Sequence, residues 1–268
     1  MRPFWLRALL PALLAPLFSA VVHGDTLSDI RAQGVLRVGV LQDTPPFSFR
    51  DRDGQRLGLE PDLAADIAAT IGVGLRLVPV EIVDRIDALM EKQVDIVLAG
   101  LAYNAQIARV VELIQPPYYA SGTNVLVRKS ERLTSWAGLA GVSVCAIQGA
   151  QQNQRLAGDY GIDLITKKSV GEAHDALSSG DCRAFAFADS AIVSLLRSDA
   201  RWRDYEMPLQ PIEEQPWAMA VRMGDPLFSA LLTGIAFRWH RDGTLISLQD
   251  KWEIARTPFV ETLNEIYR

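Results

Sequence analysis

Short apolar runs alternate with helical patterns twice along this chain. That alternation restricts it to an α/β fold built on parallel-rich sheets. The clearest unit is Gly34 to Leu63, GVLRVGVLQDTPPFSFRDRDGQRLGLEPDL. Val35, Leu36, Val38, Val40 and Leu41 form a strand that is apolar on both faces, as an inner strand of a parallel sheet requires. Pro45-Pro46 ends it, because proline has no amide proton to give to a ladder. Asp53-Gly54 sets a tight hairpin tip. Pro61 opens a helix with Leu63, Ile67 and Ile71 on one face, and Gly72 closes it. A strand end, the aromatic Phe47 and a helix start therefore meet at one place, and open α/β sheets bind ligands at such strand ends.

The same logic carries down the chain. Gly74–Val83 reads as a strand, followed by a helix from Asp84 with Ile86, Leu89 and Met90 inward. Val94–Ala99 is a buried strand, and Asn104 caps a helix expected to run to about Val111. Thr123–Arg128 is a strand that introduces the second series. That series holds strands at Val142–Ile147, Leu164–Thr166 and Ala184–Ala188, with helices from Ala150 and near Glu172–Ser178. Asp189 is placed as the N-cap of the next helix. Pro216–Arg222 is again a strand, Asp225-Pro226 starts a long helix, and Thr244–Trp252 makes one more.

A chain of 268 residues forms one or two domains, and 49% hydrophobic with 22% charged residues is ordinary globular composition. Residues 1–24 differ. Arg2 and Arg7 precede the apolar run Ala8–Phe18, followed by small residues, which predicts a secretory signal peptide cut after Gly24, with Ala20 as the alternative. The run is too short to span a membrane, and no cysteine lies near the cleavage site to carry a lipid. The mature protein is expected free in the periplasm. Removing residues 1–24 takes away two arginines and no acid, so the formal charge moves from −5 to −7. An acidic chain without basic runs is no nucleic-acid binder. Cys145 and Cys182 lie in or beside strand-like segments; in an oxidising compartment they form a bridge or remain buried thiols.

The quoted motifs resemble the family 3 periplasmic solute-binding proteins, mostly amino-acid receptors for ABC importers. LRVGVLQDTPPF, RDG and GLEPDLA match that family's opening. VVELIQPPYYASG, VSVCAIQGA, ALSSGDCRAFAFAD and DGTLISLQDKW continue the likeness from Leu36 to about Trp252. The resemblance implies a two-lobed periplasmic-binding-protein fold of type II. Residues 25–122 and 223–268 would form the first lobe and 129–215 the second, with hinge strands at 123–128 and 216–222. It also implies a Cys145–Cys182 bridge, a monomer, no cofactor, no catalysis, a small polar solute trapped by lobe closure, and importer membrane subunits as partners. The alternatives on this fold are a secreted cyclohexadienyl dehydratase and a docking module that has lost its ligand.

Carried over position by position, the site is incomplete. Phe47 matches a stacking aromatic, Glu60 a cleft acid and Gly100 a backbone contact. Ala102 stands where a hydroxyl is usual, Asn104 keeps a polar group, and Ile107 replaces the carboxylate-binding arginine. Gln148 and Gly149 match, but Ala150 and Gln151 replace two hydroxyls. Asp189 resembles the ammonium-binding aspartate, displaced by one residue. Arg109 and Arg155 are the candidate substitutes for the missing arginine. With acidic Glu60 and Asp189 retained, this pattern favours a cationic or neutral solute, such as an amine or amide-bearing derivative, over a conventional α-carboxylate.

Overall fold

A computed structural model describes residues 25–268; the signal peptide expected at 1–24 lies outside the described residues. The first half runs α1 (Thr26–Gln33), β1 (Val35–Leu41), β2 (Phe49–Arg50), β3 (Arg56–Leu57), α2 (Leu59–Ile71), β4 (Gly74–Val80), α3 (Arg85–Met90), β5 (Ile96–Val97) and β6 (Val111–Leu113). The second runs β7 (Tyr119–Arg128), β8 (Ser143–Ile147), α4 (Gln152–Tyr160), β9 (Asp163–Lys167), α5 (Val170–Ser179), β10 (Ala184–Ala188), α6 (Asp189–Ser198), β11 (Tyr205–Glu206) and β12 (Ile212–Trp217). The chain then returns through β13 (Ala220–Arg222), α7 (Pro226–Arg241), α8 (Thr244–Lys251) and α9 (Pro258–Tyr267).

These strands make two principal sheets, as an α/β protein with two lobes requires. The first has the order β4-β1-β5-β13-β6, with β1 parallel to both β4 and β5 and β13 antiparallel. The second has the order β11-β7-β10-β8-β9, with β12 added against β7. In it β8 lies parallel to β9 and β10, while β7 runs antiparallel to β10. Thr123–Arg128 is thus wholly paired inside the second sheet, and Ala220–Arg222 inside the first. The chain crosses between the sheets near Leu113–Tyr119 and again near Trp217–Ala220. At that crossing Phe47 packs edge to face against Tyr119 and Trp217, which are tilted against each other, with ring centroids 4.8–5.3 Å apart.

The opening unit is built as its residues dictate. β1 is buried along most of its length, the β2–β3 hairpin turns at Gly54, and α2 ends on Gly72 in the left-handed region. Gly58, which feeds α2, has φ +133°, and a Cβ there would lie 2.3 Å from the Phe47 carbonyl oxygen. Only glycine fits, and the tight approach fixes where α2 begins.

Three local expectations change. Asn104 does cap, its Oδ1 accepting from the amides of Gln106 and Ile107. The predicted helix is only a 3-10 turn at Ile107–Arg109, because Val111–Leu113 leaves it to pair with β13. Met90 faces solvent at 48% exposure; the inward positions of α3 are Arg85, Ala88 and Leu89. Asp189 is the first residue of α6 rather than its N-cap, a position held by Ala188 with no side-chain hydrogen bond. Cys145 on β8 and Cys182, just before its neighbour β10, are joined as a disulfide with Cα atoms 5.6 Å apart.

Candidate functional site

A cavity of ≈ 50 Å³ lies where the two lobes face each other. The first lobe contributes Leu41, Thr44, Ile82, Arg85, Gly100 and Ala102. The second contributes Ala150, Gln151, Gln152, Phe187 and Ala188. β7 adds Ser121, Gly122 and Thr123, and β12 adds Gln215 and Trp217. The lobes meet directly beside it: the Gln151 side-chain amide donates to the Ala102 carbonyl at 3.0 Å. The ends of β1 and β5, the start of α3 and the start of α4 therefore converge, as carboxyl strand ends and helix starts do in ligand-binding α/β folds.

Beneath the cavity sits a buried polar network. Glu60 is 0% exposed; it accepts from the Gly100 amide at 2.7 Å, the Tyr118 hydroxyl at 2.9 Å and, more weakly, the Leu41 amide at 3.5 Å. Burial pushes its carboxyl up to about 7, partly countered by the Tyr118, Gly100 and Leu41 hydrogen bonds and by the charge of Arg85. Tyr118, which also accepts from the Gly100 amide, is held well above an ordinary phenol by burial and by Glu60. Arg85 is 4% exposed and donates through Nε to Ile82 O and through Nη1 to Ala99 O and Gly100 O. Burial lowers its guanidinium to about 10, so it stays charged at neutral pH.

The sequence-derived residues divide accordingly. Gly100, Ala102, Ala150 and Gln151 line the cavity. Phe47 does not: it is fully buried in the aromatic cluster. Glu60 lies under the cavity floor, its oxygens engaged by the protein. Asn104 is occupied with its turn. Gln148 and Gly149 sit at an exposed rim, where Gly149 abuts Val83 of the other lobe. Asp189 lies beside Gly122 rather than in the lining, with Oδ1 accepting from Ser121 Oγ at 2.7 Å and the Ser190 amide at 2.6 Å.

Neither substitute arginine reaches the cavity. Arg109 is exposed, and Arg155 pairs with Glu213 at 2.8 Å and Asp159 at 3.3 Å. The guanidinium that does line it, Arg85, was missed together with Thr44, Ser121, Thr123 and Gln215. Arg85 left one signal in the sequence: with Ala88 and Leu89 it occupies the i, i+3, i+4 face of a short helix, the face that must be buried.

The likeness to known proteins agrees with this geometry. The L-cystine-binding protein TcyJ of Escherichia coli K12 is 26% identical over 230 residues, covering 84% of this chain and 85% of that one. Among solved structures, a solute receptor for L-cysteine from Neisseria gonorrhoeae superposes with a TM-score of 0.81 at 22% identity, over 87% of this chain and 98% of that one. The ancestral amino-acid-binding protein AncCDT-1, a precursor of cyclohexadienyl dehydratase, superposes with a TM-score of 0.77 at 27% identity, over 85% and 99%. The sequence profile of the bacterial extracellular solute-binding proteins, family 3, matches residues 36–255, which takes in both lobes and every residue of the cavity. Two lobes, a cleft between them and a profile that runs through both make this chain a member of the family 3 bacterial extracellular solute-binding proteins.

Proposed function

We propose that this protein captures a small, polar, amino-acid-like solute in the periplasm by lobe closure and presents it to the membrane subunits of an ABC importer. The observation that carries this reading is the small cavity shared between the lobes, lined by hydroxyls, side-chain amides and one guanidinium and bridged by Gln151. Relatives named for cystine and general L-amino-acid binding support the ligand class.

The likeness to a dehydratase precursor raises an enzymatic reading. A general acid must reach the reacting atoms. Glu60, with its carboxyl near 7, has a suitable affinity for a proton but does not line the cavity, and neither does Asp189. We therefore read the protein as a binder that turns over nothing. A thermal-shift screen of the mature protein over amino acids, amines, opines and organic acids tests both points. A ligand at a hundred times its dissociation constant stabilises by ~2.7 kcal/mol. Silence across the whole set counts against solute capture, and chemical conversion of any stabilising compound, followed by mass, would move the protein to the enzymes.

A further inference from the structure

We infer that Arg85 is the anion anchor of this cleft, its free Nη2 receiving the carboxylate of a small monocarboxylic solute for whose amine, if it has one, the lining offers no counter-charge. The inference deepens the proposed function and rests on it.

A guanidinium carries five N–H donors. In Arg85 three are taken by the carbonyls of Ile82, Ala99 and Gly100, at 2.8–3.0 Å. The two on Nη2 have no partner among the described residues, and Nη2 is not among the buried atoms sealed off from solvent. Since Arg85 is 4% exposed and lines the cavity, those donors open onto the cleft. The carbonyl clamps also hold the guanidinium in place, so little rotamer freedom remains to be lost when a ligand binds.

Charge points the same way. No carboxylate lies within ion-pair distance of Arg85 among the described residues. The nearest acid that influences it, Glu60, is engaged by Gly100 and Tyr118. A buried cation without a close anion is unfavourable, and a ligand carboxylate would supply charge-assisted hydrogen bonds there. The rest of the polar lining is neutral, from Thr44, Ser121, Thr123, Gln151 and Gln215. No aspartate or glutamate lines the cavity; Asp189 stands behind Gly122, with Oδ1 committed to Ser121 and Ser190 and Oδ2, which has no hydrogen-bond partner among the described residues, turned toward Gly122. The expectation of a cationic solute depended on Glu60 and Asp189 facing the ligand; this geometry reverses the sign of the charged contact.

The test is calorimetry on the mature protein with matched sets on the alanine, serine and glutamine skeletons: the amino acid, its α-amide, its 2-hydroxy acid and its decarboxylated amine. For the best skeleton, the hydroxy acid should bind within about tenfold of the amino acid, and the amide and amine at least ~tenfold more weakly, as loss of a charged hydrogen bond implies. Arg85→Met should bring the acid-to-amide preference close to one, which a merely structural arginine would not do. If that variant fails to fold, Arg85→Lys and the wild-type series decide. An amide equal to its acid, or an amine that outranks the hydroxy acid, overturns the anchor while leaving solute capture intact; the latter would point to Asp189. Failure of every compound in every set would overturn the capture reading and the anchor with it.

Discussion

Glu60 keeps its carboxyl entirely inside the protein, and the consequence can be measured as a pH dependence of stability. Its affinity for a proton rises from 4.5 to about 7 on folding, chiefly through burial. The folded state therefore holds this proton more tightly than the unfolded chain. Stability falls by about 3 kcal/mol as pH climbs from about 4.5 to about 7 and levels off above. His174 works in the opposite direction. Burial takes it from 6.5 to about 4, so its contribution to stability rises with pH across that window and partly masks Glu60. The informative quantity is the difference between wild type and Glu60→Gln in urea unfolding at pH 5 and pH 8. The variant should lose less stability, or gain more, between these two values than the wild type. Arg85, lowered only to about 10, stays charged at both, so its own titration adds nothing to this difference. Parallel pH profiles would show that Glu60 does not exchange its proton in this range.

Among the elements, the strand pair β8–β10 carries the covalent link. Cys145 lies opposite Phe185 in this pairing, and the bridge to Cys182 closes a loop of 37 residues that contains α4, β9 and α5. Constraining a loop of that length in the unfolded chain is worth about 3–4 kcal/mol. Replacing both cysteines by alanine should lower the urea midpoint accordingly, and denatured, unreduced wild type should titrate no free thiol. An unchanged midpoint would mean that the bridge adds nothing to the packing around it. Periodicity in the sequence located most elements of both lobes, because β1, α2, β8, β10 and α7 each bury one continuous apolar set. It failed where pairing overrode local preference. Val110 and Val111 extend a plausible helical face, yet the partner strand β13 takes Val111–Leu113 into the sheet. It failed again at α3, where Arg85 lies on the buried face and Met90, expected inward, is exposed. The family-derived site positions were legible in part: backbone-proximal Gly100, Ala102, Ala150 and Gln151 line the cavity, while Phe47 and Glu60 belong to the layer beneath. Arg85 reaches the cavity by tertiary placement of a helix start, and no spacing motif records that.

At the scale of the whole molecule, the lobes meet with a glycine set against a backbone. A Cβ on Gly149 of the second lobe would sit 2.9 Å from Val83 Cα of the first. Backbone cannot yield as a flexible side chain can, so the lobes of a Gly149→Ala variant would have to stop short of this arrangement. The Gln151–Ala102 hydrogen bond beside it would lengthen or break. Two effects of the substitution can be told apart. Gly149 has φ +76°, so alanine there adds strain of about 1–2 kcal/mol in open and closed states alike. That term lowers the melting temperature but not the affinity. The clash exists only when the lobes meet, and overpacking of this kind costs about 1–3 kcal/mol. It reduces the fraction of protein able to close, which weakens apparent binding by roughly five- to 150-fold. Calorimetry with the best ligand from the matched sets should show that loss, and small-angle scattering should show less ligand-induced compaction than in wild type. Unchanged affinity and full compaction, with only the melting temperature lowered, would mean that the Gly149–Val83 contact does not limit closure.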